Sequence, residues 1–230
     1  EDAIAAKGRV GEETWETEML CARPRRKGLV FPQFRRERHV FAGTGPQHVA
    51  HWVVGMDFGF RSPTVILWCA VDDEGALWVM DERCQAEEVI DEHVRAMQAG
   101  LARPGMPAWP SPRWIAADPA GNQPNQQTGV TDTGVLRKNG FAVKTPGGAV
   151  ARGVKRIADR LAPAAGWPRL FIHERCKDLI RSMSQYRYKP GDLENLEPLK
   201  DGNDHAVDAL RYLVMSLDGE CGGKTGNYAA

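Results

Sequence analysis

Three aspartates stand where an otherwise apolar pattern would not place a charge. Asp57 closes the run Val53-Val54-Gly55-Met56, and Asp118 closes Trp114-Ile115-Ala116-Ala117 just ahead of Pro119. Asp208 lies in Asn203-Asp204-His205-Ala206-Val207-Asp208-Ala209-Leu210-Arg211-Tyr212, where apolar residues at 206, 207, 210, 213, 214 and 217 repeat at helical spacing. Burying a carboxylate without a partner is costly, and a metal cation is one partner that removes the cost. Hard divalent cations such as Mg²⁺ and Mn²⁺ take carboxylate oxygens. Two of them about 3.5–4 Å apart can activate a water and stabilise the leaving oxygen of a phosphodiester. Two strand-end carboxylates and one on a helix would suffice to hold such a pair. His205 falls about 60° from Asp208 around the helical wheel, and Asp204 shares the face of Asp208 one turn earlier. Each residue also has a plain structural reading: a turn aspartate, a helix-start histidine, a solvated acid. Asp204, beside the N-cap candidate Asn203, is explained by the helix dipole alone.

The elements that must position these residues follow from periodicity. His51–Asp57 reads as a strand with Gly55 and Gly59 marking its end. Thr64–Val71 and Ala76–Asp81 read as a hairpin around the turn Asp72-Asp73-Glu74-Gly75. Residues 86–101 read as a helix, and a proline-rich loop then precedes a short strand over 113–118. Beyond it, helices are expected over 131–139, 150–161, 176–184 and 203–217, with strands over 141–145 and 169–173. A hairpin followed by alternating helices and strands describes an α/β domain, a mixed sheet of five or more strands flanked by helices. Residues 1–47 lack a sustained period and read as a linker or arm, with a short helix around 12–20. Residues 48–230 form the folded domain. Because Glu1 is not an initiator methionine, the sequence reads as beginning inside a longer chain.

Zero formal net charge hides a blocked distribution. Arg23, Arg25, Arg26, Lys27, Arg35, Arg36 and Arg38 crowd residues 20–40, residues 72–92 are acidic, and residues 137–160 are basic again. Five cysteines at irregular spacing make no disulfide framework and fit a reducing setting. No apolar run reaches the ~20 residues of a membrane span, and no secretory signal is visible.

Val-Gly-Met-Asp57-Phe-Gly, Ala-Ala-Asp118-Pro-Ala and Asn-Asp-His205-Ala-Val-Asp208-Ala-Leu-Arg-Tyr resemble, in order, the three acidic motifs of bacteriophage terminase large-subunit nuclease domains. The last motif is the most specific, and the likeness covers roughly residues 48–217. It implies a ribonuclease H-like fold and a metal-dependent endonuclease that cuts concatemeric viral DNA during genome packaging. Asp57, Asp118 and Asp208 would be the catalytic metal ligands for two Mg²⁺ or Mn²⁺ ions, with His205 supporting them and Asp204 accessory. It further implies double-stranded DNA, an ATPase domain, a small terminase subunit and a portal as partners, and action in the host cytoplasm without a membrane. The segment Gly28-Leu29-Val30-Phe31-Pro32 resembles the connector from the ATPase domain. No P-loop is present: ahead of Gly223-Lys224-Thr225, Asp218 stands where the first glycine should be. The chain is therefore expected to be the nuclease domain alone. Candidate phosphate contacts are Arg137, Lys138, Lys144, Arg152, Lys155 and Arg156, with Arg187 and Lys189 beside the turn at Pro190-Gly191. Nothing resembles a base-reading motif. Two other readings stay open: a Holliday-junction resolvase or other ribonuclease H-like nuclease, and a non-catalytic DNA-binding or capsid-docking module with structural acids.

Overall fold

The computed structural model describes residues 28–189 and 198–221, apart from 107, 126–127 and 165. The helix expected around 12–20 and the turn at Pro190-Gly191 lie outside the described residues. The strands are β1 (Val40–Phe41), β2 (His51–Asp57), β3 (Thr64–Val71), β4 (Leu77–Gln85), β5 (Trp114–Ala117), β6 (Val143–Lys144) and β7 (Leu170–His173). They form one mixed sheet in the order β1-β7-β4-β3-β2-β5-β6. The pairings β2–β3 and β3–β4 are antiparallel, while β1–β7, β4–β7, β2–β5 and β5–β6 are parallel. Strand β3 therefore runs against all the others. Every other strand delivers its C-terminal end to the same edge, where α/β folds gather their ligand sites.

The helices are α1 (Arg36–His39), α2 (Ile90–Gln98), α3 (Asp132–Lys138), α4 (Val150–Leu161), α5 (Lys177–Gln185) and α6 (Asp204–Cys221). The two-residue alternation of a strand sends successive side chains to opposite faces. Val53, Val65, Leu67 and Cys69 join the core under α4, α5 and α6. Val54, Met56, Ile66 and Trp68 join a second core with Val94 and Met97 of α2 and Leu136 of α3. Being buried on both faces explains why β3 reads as an unbroken apolar run.

Several boundaries differ from the sequence reading. Strand β4 continues to Gln85 because Glu82–Gln85 keep pairing with Thr64–Leu67, past a register shift at Trp68/Cys69. Helix α2 accordingly starts at Ile90 rather than near 86. Gly55 does not mark the end of β2 but lies within it. A Cβ there would stand 2.5 Å from the Ala209 carbonyl oxygen, so its bare backbone is what lets α6 lie against the strand. The described part of the segment read as an arm packs on the domain. Val30, Phe31 and Phe34 are buried in the α6-side core, and Val40–Phe41 adds the edge strand beside β7. A two-residue strand and a one-turn helix are too short to leave a periodic signal. No helix among the described residues is long and apolar enough to cross a membrane.

Candidate active site

The register of β2 against β5 runs from Val53↔Trp114 to Met56↔Ala117. Asp57 and Asp118 thus leave the sheet side by side, with the Asp118 N–H donating to the Met56 carbonyl at 3.1 Å. The loops that follow are fixed to each other and to the sheet. Thr64 Oγ1 accepts from the Gly59 N–H at 3.1 Å and donates to the Gly59 carbonyl at 2.7 Å. A Cβ on Gly121 would meet the Phe58 ring at 2.2 Å, so that glycine seats Phe58 between the two aspartate loops. Asp118 accepts the Ala120 N–H at 2.9 Å, capping the 3₁₀ turn at Pro119–Asn122.

Helix α6 crosses this edge with its N-terminal end. His205 Nδ1 lies 3.0 Å from Asp57 Oδ2. Asp208, one turn on, accepts Arg211 Nε at 2.8 Å. Arg211 is buried, and a Cβ on Gly153 of α4 would stand 2.2 Å from its Cγ, so α4 leaves space for that arginine through Gly153. Asp204 is buried too, and its Oδ1 accepts the Gly202 N–H at 3.1 Å, facing back into the loop before the helix. Asp57, Asp118, Asp208 and His205 therefore share one edge.

The electrostatics are those of crowded acids. Burial pushes the Asp57 carboxyl up to about 6, Asp208 and Asp118 add repulsion, and the His205 hydrogen bond pulls it back down. His205 is raised in turn, chiefly by that bond. Burial also pushes the Tyr186 and Tyr212 phenols above their ordinary value, and Asp208 contributes to both. Among the described residues no three His, Cys, Asp or Glu side chains close on a single metal position. Asp57 and Asp208 each spend an oxygen on a cationic or proton-bearing neighbour, His205 and Arg211. The donor chemistry nevertheless suits a hard divalent cation. The groups are all carboxylate oxygens, one of them buried beside like charges that a cation would relieve.

The basic candidates scatter. Lys144 lies with its Nζ 4.1 Å above the Trp114 ring, next to Thr145, whose Oγ1 accepts from Asn122 Nδ2 of the Asp118 loop at 3.1 Å. Arg137 donates to Thr133 Oγ1 at 3.2 Å, and Lys138 and Arg152 are exposed. Lys155 pairs with Asp159 at 3.5 Å, and Arg156 donates to the Met215 carbonyl at 3.3 Å. Met215 is two turns past Asp208, about 10 Å along the helix, so Arg156 is remote from the acids. Arg187 donates to the Gln185 carbonyl at 3.3 Å, and Lys189 is exposed. Reading the sequence overlooked Arg211 and the two tyrosines. Arg211 had a signal, its i,i+3 spacing from Asp208. Tyr186 had none, because only tertiary packing brings α5 to α6.

Comparison with known proteins agrees with this architecture. The chain is 24% identical over 205 residues to the terminase large subunit of Escherichia phage T5, covering 83% of this chain and 42% of that protein. Its structure superposes on the large terminase of a thermophilic bacteriophage with a TM-score of 0.66 at 20% identity, covering 81% of this chain and 45% of that one. On the large terminase nuclease of thermophilic phage G20c with bound cobalt the TM-score is 0.53 at 11% identity, covering 83% of this chain and 98% of that one. The chain thus spans a little under half the length of the large subunits it matches. The family model for the terminase RNaseH-like domain matches residues 54–217, from inside β2 through most of α6 and across all three aspartates, and the chain belongs to that family.

Proposed function

We propose that this domain is a divalent-metal-dependent endonuclease that cuts concatemeric viral DNA during genome packaging. The observation that carries the reading is the meeting of Asp57, Asp118 and Asp208 at one sheet edge, with Asp57 buried against two like charges. Two ions such as Mg²⁺ or Mn²⁺, when bound, would supply the activation of water and the stabilisation of the leaving oxygen. The G20c nuclease carrying cobalt supports divalent metal use in a relative of the same fold.

The chain's own residues divide the remaining work. Asp57, Asp118 and Asp208 hold the ions. His205 fixes the orientation of the Asp57 carboxylate through Oδ2, and Arg211 fixes Asp208 through Oδ1. Asp204 is accessory, supporting the loop that leads into α6. Lys144 and Arg137, on the elements after Asp118, are the basic residues best placed to meet DNA phosphates, and Lys138, Arg152, Arg187 and Lys189 extend that contact. The domain would act in the host cytoplasm with double-stranded DNA, the ATPase domain of the longer large subunit, a small subunit and a portal.

Plasmid cleavage in Mg²⁺ or Mn²⁺ tests the assignment. Asp57→Asn, Asp118→Asn and Asp208→Asn should each lower the cleavage rate by at least about a hundredfold, since each removes charge that holds an ion at the reacting phosphate. Asp204→Asn should be milder. Cleavage that persists in all three variants would remove the carboxylates from the chemistry, and equal losses at 204 and 208 would make Asp204 a ligand.

A further inference from the structure

Beside the Asp57 loop, and outside the carboxylate set, lies a cavity of about 530 Å³. Phe58 and Gly59, which follow Asp57 directly, form part of its wall. Helix α2 contributes His93, the loop before α2 contributes Glu88 and Val89, and the first residue of α3 contributes Asp132. Its position on the catalytic edge is fixed by chain connectivity.

Three features distinguish the wall of this cavity. First, Phe60 lines it and is 57% exposed, and Val89 is 54% exposed, so the rim offers an aromatic face and an aliphatic one to solvent. The Phe60 loop is held in place: the Glu87 N–H donates to the Phe60 carbonyl at 2.8 Å. Glu87 itself adopts φ 60°, a left-handed conformation that a non-glycine residue enters only at a cost. Second, His93 is 1% exposed, yet neither ring nitrogen makes a hydrogen bond of normal geometry among the described residues. Its polar neighbours are Glu88, whose Oε2 stands 3.9 Å from Nδ1, and Arg83, which is paired with Glu88. Third, Asp132 is half-buried and burial alone shifts its carboxyl upward. Buried polar groups are ordinarily satisfied, and His93 in this wall is an exception.

We propose that this cavity is a nucleobase subsite, which takes an unstacked base of the DNA strand flanking the scissile phosphate, with Phe60 as its stacking platform. The wall chemistry selects that part of a nucleotide. The Asp132 carboxylate repels a phosphate, Glu88 being paired with Arg83, while an aromatic face accepts any base. Among the described residues no donor reaches the Asp132 carboxylate, which suits a base with two adjacent donors: guanine presents its N1–H and N2 amino group side by side, whereas thymine presents N3–H alone. The base must leave its stack to enter, as it does in other enzymes that hold a single base apart from its neighbours. This inference rests on the nuclease reading only in that DNA lies along this edge.

The test is binding of short labelled single-stranded oligonucleotides to the 230-residue chain in EDTA, by fluorescence anisotropy. Oligonucleotides carrying all their bases are compared with abasic ones of equal phosphate number. The wild type should prefer the base-bearing strand. Phe60→Ala should weaken that binding on the order of tenfold, the loss of one base–aromatic stack, and leave the abasic strand unchanged. Asp132→Asn should erase the preference for dG over dT, with an unchanged melting temperature in both variants. Equal affinity of the wild type for both strands overturns the proposal, and so does an equal loss on both strands in Phe60→Ala. If Phe60→Ala leaves both affinities unchanged and weakens association with a purified terminase ATPase domain, the patch is a protein contact and the proposal also falls. Plasmid cleavage read in parallel separates the two ideas. Metal-dependent cutting without a base preference leaves the nuclease and removes the subsite. A base preference without cutting does the reverse.

Discussion

Asp57 is the most buried of the three proposed metal-ligand carboxylates, and its ionisation is opposed from every side but one. Its carboxyl is raised to about 6, so the ionised form that would hold a cation is depleted as pH falls through about 6. His205 supplies the one opposing influence, a hydrogen bond that favours the carboxylate. Removing it in His205→Ala should raise the Asp57 carboxyl further. At subsaturating Mg²⁺, the acid limb of the cleavage profile should therefore move to higher pH, by roughly one unit, the scale of a single charge-assisted hydrogen bond. A limb that stays in place would show that His205 does not act through Asp57. Arg211 plays the matching part at Asp208, and both side chains come from the same helix as the acid motif.

At the scale of elements, two contacts place helices on the sheet. Gly55 lets α6 approach β2, and an added Cβ would lie 2.5 Å from a backbone oxygen and 3.1 Å from Leu213 Cβ. Neither neighbour can rotate away, so Gly55→Ala should cost about 2 kcal/mol. The melting temperature should fall by roughly 6 °C, and cleavage should fall with it as His205 is levered off Asp57. A full retention of both would show that α6 can shift without consequence. The second contact is Glu82 on β4, whose carboxylate accepts the Asp178 and Leu179 N–H groups at 2.7 and 3.0 Å and so caps α5. Burial nevertheless pushes its carboxyl up to about 7, with Asp178 and Asp81 adding repulsion. The folded state thus holds a proton that the unfolded chain releases near its ordinary value of 4.5. Stability from this group is present below that pH and lost as pH rises through about 7, by roughly 3 kcal/mol in all. Urea unfolding of wild type and Glu82→Gln should show the variant gaining on the wild type between about pH 5 and pH 8. A pH-independent difference would mean that Glu82 stays ionised throughout.

At the scale of the whole molecule, the edge strand and the segment before it belong to the folded unit. Val30, Phe31 and Phe34 share a core with Ile157, Leu161 and Leu170, and His39 Nε2 bonds the Leu161 carbonyl at 2.9 Å. A chain starting at residue 48 would lose three buried apolar side chains, each contributing about 1.5–3 kcal/mol. It should melt well below a chain starting at residue 28 or aggregate on expression. Equal melting temperatures would return residues 28–47 to the status of a linker. At the β3–β4 turn, at the end of the central strands away from the aspartates, an Arg160–Asp218 ion pair ties α4 to α6, with Arg160 also donating to the Gly75 carbonyl at 3.1 Å. The pair joins the C-terminal ends of the two helices.

The three aspartates, the helix that carries Asp208 and the alternating α/β order were legible in the sequence. Strand ends, helical spacing and turn residues are local, and a carboxylate closing an apolar strand is a local anomaly. The terminase assignment came from the motif around His205 and Asp208, again a contiguous segment. What the chain could not announce were contacts between segments distant in sequence. Gly55 read as a strand terminator because nothing near it mentions α6. The segment 28–47 read as a linker because a two-residue strand has no period. Tyr186 gave no sign of lying near Asp208, and the cavity under Phe60 is assembled from β2, α2 and α3 loops that share no motif. Local sequence set which residues carry charge and which elements hold them; the parallel register of β2 on β5, and the passage of α6 over Gly55, decided that the charges meet.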